Sequence, residues 1–308
     1  MGRLVLSLGL FLGVILLVGL GIEAIVYWQM DNRRAHVHED WPDMHGLNAE
    51  LVFLGNSRTA GHVIPEVVCQ GLAESCYNLA YDGYTSQMGG YRLEYLLDHA
   101  ANHPKAVVVQ LDLSFCQGNG RQDNYPMKDG VLRYFFLDQI GINQYYRHYD
   151  NWRELDAFIP LLRYKGYPLI FFKHLLGWNR WDRREKKGFW HTNKEVGFQM
   201  EDPPLDKNVS LSLCGIDSIC QRNHIQLIGM IPPSPQSSYR PSNQKLDSLS
   251  RFLKVLDLSD LFENHESEYF YDKAHFSLDG AKLFSRALHD SLFYLIQPVQ
   301  ENESELVN

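Results

Sequence analysis

Three residues of this chain, Ser57, Asp272 and His275, combine into chemistry if the fold brings them together. Ser57 lies in Gly55-Asn56-Ser57-Arg58-Thr59, directly after the apolar run Leu51-Val52-Phe53-Leu54. A serine hydroxyl is a weak nucleophile until a base takes its proton and a third group orients that base. The stretch YDKAHFSLDGAKLF, residues 271–284, supplies both partners: Asp272 and His275 stand three apart, just before a segment with helical periodicity. A single loop can bring the carboxylate to one imidazole nitrogen and leave the other facing Ser57, which fixes the tautomer and stabilises the imidazolium formed on proton transfer. That is the apparatus of acyl transfer through an acyl-serine, and it calls for neither a metal nor an organic cofactor. Two other readings of the same turn stay open. Ser57 can be the N-cap of the following helix, or Gly55–Thr59 can form a phosphate-binding loop at a helix N-terminus, although it lacks the glycine-lysine signature of nucleotide sites.

The elements that must position these residues follow from the periodicity of the chain. Short apolar runs at 49–55, 77–81, 105–115, 225–233 and 255–262 read as strands. The segments 86–103, 211–224, 242–254 and 278–296 carry apolar residues at helical spacing. Lys105–Phe115 is nearly continuous in apolar residues, as a strand buried on both faces is. Strands alternating with helices predict a mostly parallel sheet covered on both faces, hence an α/β domain spanning 49–297. In such sheets ligands bind beyond the carboxyl ends of the strands, and Ser57 falls at the carboxyl end of the first one.

The alternation breaks across 117–205. This insertion holds four of the six tryptophans (Trp152, Trp178, Trp181 and Trp190) and the basic run Arg180–Gly188. It reads equally as a helical cap with its own aromatic core and as a lid whose basic side chains meet an anionic polymer or lipid headgroups. Leu4–Ile22 is 19 residues without a charge, followed by Tyr27 and Trp28 where an interfacial aromatic belt would fall. Residues 1–28 are therefore expected to be an uncleaved transmembrane anchor rather than a signal peptide. Residues 29–48 read as a polar linker and 298–308 as a polar tail. His36, His38, Glu39 and Asp40 in the linker are read as a solvated tether rather than a metal site. A formal net charge of −8 argues against a nucleic-acid partner. Of the five cysteines, Cys69 and Cys76 bracket a short loop and can pair in an oxidising compartment, or all five can be free thiols.

The Gly-Asn-Ser-Arg-Thr stretch resembles the first block of the SGNH/GDSL hydrolase superfamily, with Asn56 where aspartate is usual. Asp272-x-x-His275 and the helix start after it, with Gly280, resemble the last block, and Tyr77–Thr85 resembles the second. The resemblance covers roughly 49–115 and 205–296. It implies a flavodoxin-like three-layer α/β/α fold with Ser57 as nucleophile, His275 as base and Asp272 as orienting carboxylate. It also implies an oxyanion hole formed by the backbone N–H groups of Ser57 and Gly83. The third block departs from the family: no asparagine stands where one usually serves the oxyanion hole, the nearby residues being Asp112, Ser114 and, further on, Asn119. Anchored chains of this look resemble the proteins of alginate acetylation and teichoic acid D-alanylation. That implies an esterase or O-acyltransferase acting on a cell-envelope polysaccharide, with an acyl donor and membrane-bound acyl-transfer proteins as partners. The chain would then be a single-pass protein of the inner membrane with its catalytic domain periplasmic or extracellular. The rival expectation is a protein of the same fold that has lost catalysis and serves polysaccharide binding or envelope assembly.

Overall fold

Five parallel strands in the order β2-β1-β3-β4-β5 carry the candidate site. The computed structural model describes residues 2–31, 44–81, 84–111, 113–116, 209–234, 243, 247, 249–250, 253–262, 266–270, 272 and 274–296. The chain falls into two units, Met1–His45 with Asn119–Glu185, and Gly46–Gly118 with Lys186–Asn308. In the first unit, helix α1 spans Gly2–Asp31, and its stretch Gly2–Gly21 has a mean hydropathy of 2.7, long and apolar enough to cross a membrane. A signal sequence meets the same criterion.

The second unit holds the sheet: β1 Leu51–Leu54, β2 Cys76–Asn78, β3 Ala106–Gln110, β4 Gln226–Ile231 and β5 Lys254–Asp257. The side chains of β1 and β3 alternate between two covered faces, so every residue of both strands is buried. On one face Leu51, Phe53, Val108, Ile228 and Met230 pack with Val63, Val68, Phe284, Leu288 and Leu292. Valine 63 follows helix α2 (Ser57–His62), Val68 ends α3 (Pro65–Val68), and the other three line α8 (Leu278–Ile296). Each fully buried side chain of this size contributes roughly 1.5–3 kcal/mol, so α8 is held chiefly by its apolar stripe. The other face is covered by α4 (Ser86–His99), α5 (Leu113–Cys116) and α6 (Val209–Arg222). There Gly89 lies close to Phe115 and Leu54, and Gly90 lets α4 rest against Ile216 and Ile219. A further short helix, α7 (Glu266–Tyr269), precedes the segment that bears Asp272 and His275.

Strands β2, β3 and β5 end well short of their apolar runs, each for a local reason. Strand β3 was expected to reach residue 115 but stops at Gln110, after which Leu113–Cys116 coil into α5 and the Cys116 thiol donates to the Gln110 carbonyl at 3.6 Å. Strand β2 stops at Asn78, whose side-chain oxygen takes the Ala80 N–H in a tight turn. Strand β5 ends at Asp257 rather than 262, because Asp257 accepts the Ser259 N–H and starts a turn. Cysteines 69 and 76 form a disulfide across the loop between α3 and β2, with Cα atoms 5.9 Å apart. The 117–205 insertion, the linker histidines and the 298–308 tail lie outside the described residues.

Strand order reverses between β1 and β3, the place where open parallel sheets bind ligands. Residue 57 begins the helix after β1, and Gln110 closes β3 beside it.

Candidate functional site

The turn after β1 is built by Gly55 and Asn56. A Cβ on residue 55 would collide with the side chains of Thr59 and Gln110, so only glycine lets the chain pass there. Asn56, not Ser57, is the N-cap of α2: its side-chain oxygen accepts the Arg58 N–H at 3.0 Å. The asparagine thus does the capping that the sequence left open for the serine, and Ser57 occupies the first helical position. Gln110 braces the turn from β3. Its side-chain oxygen Oε1 accepts the Asn56 N–H at 3.2 Å and the Thr59 hydroxyl at 2.6 Å, and its side-chain amide donates to the Asn56 side chain at 3.2 Å. From β2, the Asn78 amide donates to the carbonyls of Thr59 and Val63 at 2.9 and 3.0 Å, which holds the far end of α2. Buried Arg58 donates to the Pro233 carbonyl at 2.7 Å, linking α2 to the end of β4.

Asp272 and His275 come from a segment closed by its own packing. Phe270 and Phe276 form an antiparallel bridge, and the Ser277 N–H donates to the Tyr269 carbonyl at 2.8 Å. Rings of Phe262, Phe270, Phe276 and Phe284 meet edge-to-face around it at centroid distances of 4.9–5.7 Å. Ser277 then starts α8 by accepting the Gly280 N–H at 3.2 Å, and Gly280 lies so close to Tyr269 that a side chain there would strike its carbonyl. The sequence glycine of the last block thus has a packing reason.

The three candidate residues meet. Ser57 Oγ lies 2.9 Å from His275 Nε2. On the other side of the ring, His275 Nδ1 lies 2.9 Å from Asp272 Oδ2 and 3.1 Å from Oδ1. The Oδ1 atom also accepts the backbone N–H groups of Ala274 and His275, both at 2.7 Å. With a carboxylate at Nδ1, that nitrogen carries the proton, and the unshared pair of Nε2 faces the serine. Burial by itself would raise the Asp272 pKa, but the His275 ring and the two amides favour the charged form more, and the carboxyl is held below its usual range. The Asp272 side chain is 9% exposed and that of His275 21%, so the carboxylate is covered while the imidazole keeps access to solvent.

Near His275 lies a second imidazole that sequence reasoning missed. His62, fully buried at the end of α2, accepts the Phe276 N–H at its Nε2 at 3.2 Å. Burial lowers its pKa well below the imidazole range, and Arg58 and His275 lower it further. Gln110 was missed as well, although a polar residue ending an apolar strand beside the candidate turn was a legible signal. His62 had none, since nothing in Thr59-Ala60-Gly61-His62 distinguishes it from a helix-end histidine.

Gly83, Asp112 and Asn119 lie outside the described residues; Ser114 is on α5. Among the described residues there is no cluster of three or more His, Cys, Asp or Glu that could hold a metal ion. Compared with known proteins, the chain matches no family model and no curated protein.

Proposed function

We propose that this chain is a serine acyl-ester hydrolase or O-acyltransferase of the SGNH type, and that it works through an acyl-serine at Ser57. The observation that carries the reading is the unbroken line from Ser57 Oγ through the His275 ring to the Asp272 carboxylate, at 2.9 Å on each side of the imidazole. In the first step Ser57 Oγ attacks the acyl carbonyl while His275 Nε2 takes its proton, and Asp272 stabilises the imidazolium. The tetrahedral oxyanion needs preorganised donors, and the Ser57 amide, at the first position of α2, has no acceptor within its own helix. Gly83 is the second donor in this reading. The imidazolium protonates the departing alcohol, the ester bond breaks and the acyl group stays on Ser57. An incoming hydroxyl then gives its proton to His275 and attacks the acyl-serine; the bond from the acyl carbon to Ser57 Oγ breaks, and His275 returns the proton to Oγ. Water there makes the chain a hydrolase, and a sugar hydroxyl makes it a transferase.

The strand order 2-1-3-4-5 supports a flavodoxin-like three-layer fold. Helix α1 supports a membrane anchor, and the Cys69–Cys76 disulfide supports an oxidising, extracytoplasmic side for the catalytic unit. The resemblance of the motif blocks supports an acylated cell-envelope polysaccharide as substrate.

The test is a fluorophosphonate probe together with a short-chain acyl ester. Wild-type protein is expected to be labelled at Ser57 and to turn the ester over. Ser57→Ala is expected to lose both while keeping its melting transition, because the mutation removes one hydroxyl at a partly exposed position. Wild-type protein that takes no label under native conditions overturns the enzymatic reading in favour of a non-catalytic binding role.

A further inference from the structure

One residue ties the helix of the nucleophile both to the segment of the base and to α8. The His62 side chain accepts the N–H of Phe276, the amide immediately after His275. The His62 carbonyl accepts the Ser285 hydroxyl of α8 at 3.2 Å, and the same hydroxyl takes the Ile64 N–H at 2.9 Å. The His62 ring lies flat on Phe276, with centroids 3.5 Å apart and planes at 13°, and stands edge-on to His275 at 6.3 Å. Ser57 and His275 are separated by 218 residues, yet the hydrogen bond between them depends on how α2 and the 272–277 segment are held together.

We infer that His62 is a positioning residue for acyl transfer: as a neutral imidazole it ties the segment of His275 to the helix of Ser57 and so sets the distance across which the proton moves. This rests on the acyl-serine reading given above. A neutral imidazole accepts at one nitrogen only, and a protonated one accepts at neither. Protonated His62 would therefore set one N–H against another at Phe276, and would place a third positive charge beside Arg58 and the imidazolium that His275 becomes. From α2 the ring faces Arg58, from the catalytic segment His275, Phe276 and the Ala274 backbone, whose hydrogen bond favours the charged ring but is outweighed, and from α8 Phe284. Burial and the two basic neighbours hold the ring neutral.

The closing experiment uses the full chain in detergent and compares three proteins by rate of fluorophosphonate labelling, with kcat and KM for a short-chain acyl ester. His62→Phe keeps a flat ring against Phe276 and deletes the acceptor. His62→Gln puts a carbonyl oxygen near the place of Nε2. The expected result is labelling slowed about tenfold or more in His62→Phe, with the loss in kcat rather than KM, since small displacements of reacting groups act on the chemical step. His62→Gln is expected to recover most of that rate. Should His62→Phe not fold, His62→Leu takes its place, and equal rates for His62→Leu and His62→Gln overturn the inference. A labelled wild type with an equally fast His62→Phe overturns it too, leaving the acyl-serine reading intact. Wild type without label at Ser57 overturns the acyl-serine reading and the role of His62 with it.

Discussion

Asp272 holds the turn that bears His275 at three points: the backbone amides of Ala274 and His275 donate to Oδ1, and the ring Nδ1 of His275 sits between the two carboxylate oxygens. One carboxylate therefore shapes the loop and orients the imidazole. The spacing of three residues is what permits it, because a longer loop would lose the two amide bonds.

Asp272→Asn removes the charge that fixes the Nδ1–H tautomer while keeping the shape of the side chain. Acylation of Ser57 is expected to fall by about 10⁴-fold, the size seen when an orienting carboxylate is neutralised in serine triads. The rate of fluorophosphonate labelling measures it, and a loss below tenfold would remove Asp272 from the machinery.

Acid should loosen the fold in two stages. His62 is held neutral in the native state, so below about 6.5 the unfolded chain takes up a proton that the native chain refuses. Its contribution is complete above that pH and is lost progressively below it. Asp272 is held charged, so its contribution is complete above about 4 and fades as pH falls toward its depressed native value. Denaturant midpoints measured from pH 7.5 down to 3 are expected to decline through both windows. His62→Gln should flatten the upper window alone, and Asp272→Asn the lower.

Gln110→Leu leaves the Asn56 N–H, the Thr59 hydroxyl and the Asn56 side chain without the partner each has in β3. Leaving a buried polar group unsatisfied costs about 1–3 kcal/mol, so a lower unfolding free energy in this range is expected together with slower labelling of Ser57. Gly55→Ala should act on the same contact by collision and be at least as damaging. Unchanged stability in both variants would mean that the turn holds its form without β3.

Thiol counting tests the covalent structure. Five cysteines with Cys69 and Cys76 joined leave three thiols, those of Cys116, Cys214 and Cys220. Denatured, unreduced protein is expected to react at three positions with a maleimide, and reduced protein at five. In native protein only the exposed Cys214 should react quickly. Cys116 is buried, and burial, with Asp217 nearby, pushes the Cys220 thiol up to about 12.

The meeting of Ser57, Asp272 and His275 was legible because each sits in a short stretch with its own local logic. Ser57 follows a glycine turn at a strand end, and Asp272 and His275 are close enough to share one loop. The α/β alternation was legible for the same reason, since periodicity is a local property. Strand ends were not, because Gln110, Asn78 and Asp257 stop their strands through side-chain bonds to partners that apolar content does not reveal. The supports of the site were hidden more deeply. Gln110 acts across 54 residues and His62 across 214, and such distances leave no mark in a sequence window. The assignment of the cap shows the same limit: Asn56 and Ser57 both suit that position, and backbone geometry chose the asparagine.

Half of the candidate site lies near residue 57 and the other half near residue 275, with α8 the last described element of the chain. A nascent polypeptide that has released only its first two hundred residues would possess the Ser57 hydroxyl without the imidazole of His275. Under the acyl-serine proposal, reactivity toward esters would thus switch on late in synthesis, once α8 docks, and premature termination anywhere before it would yield an inert product.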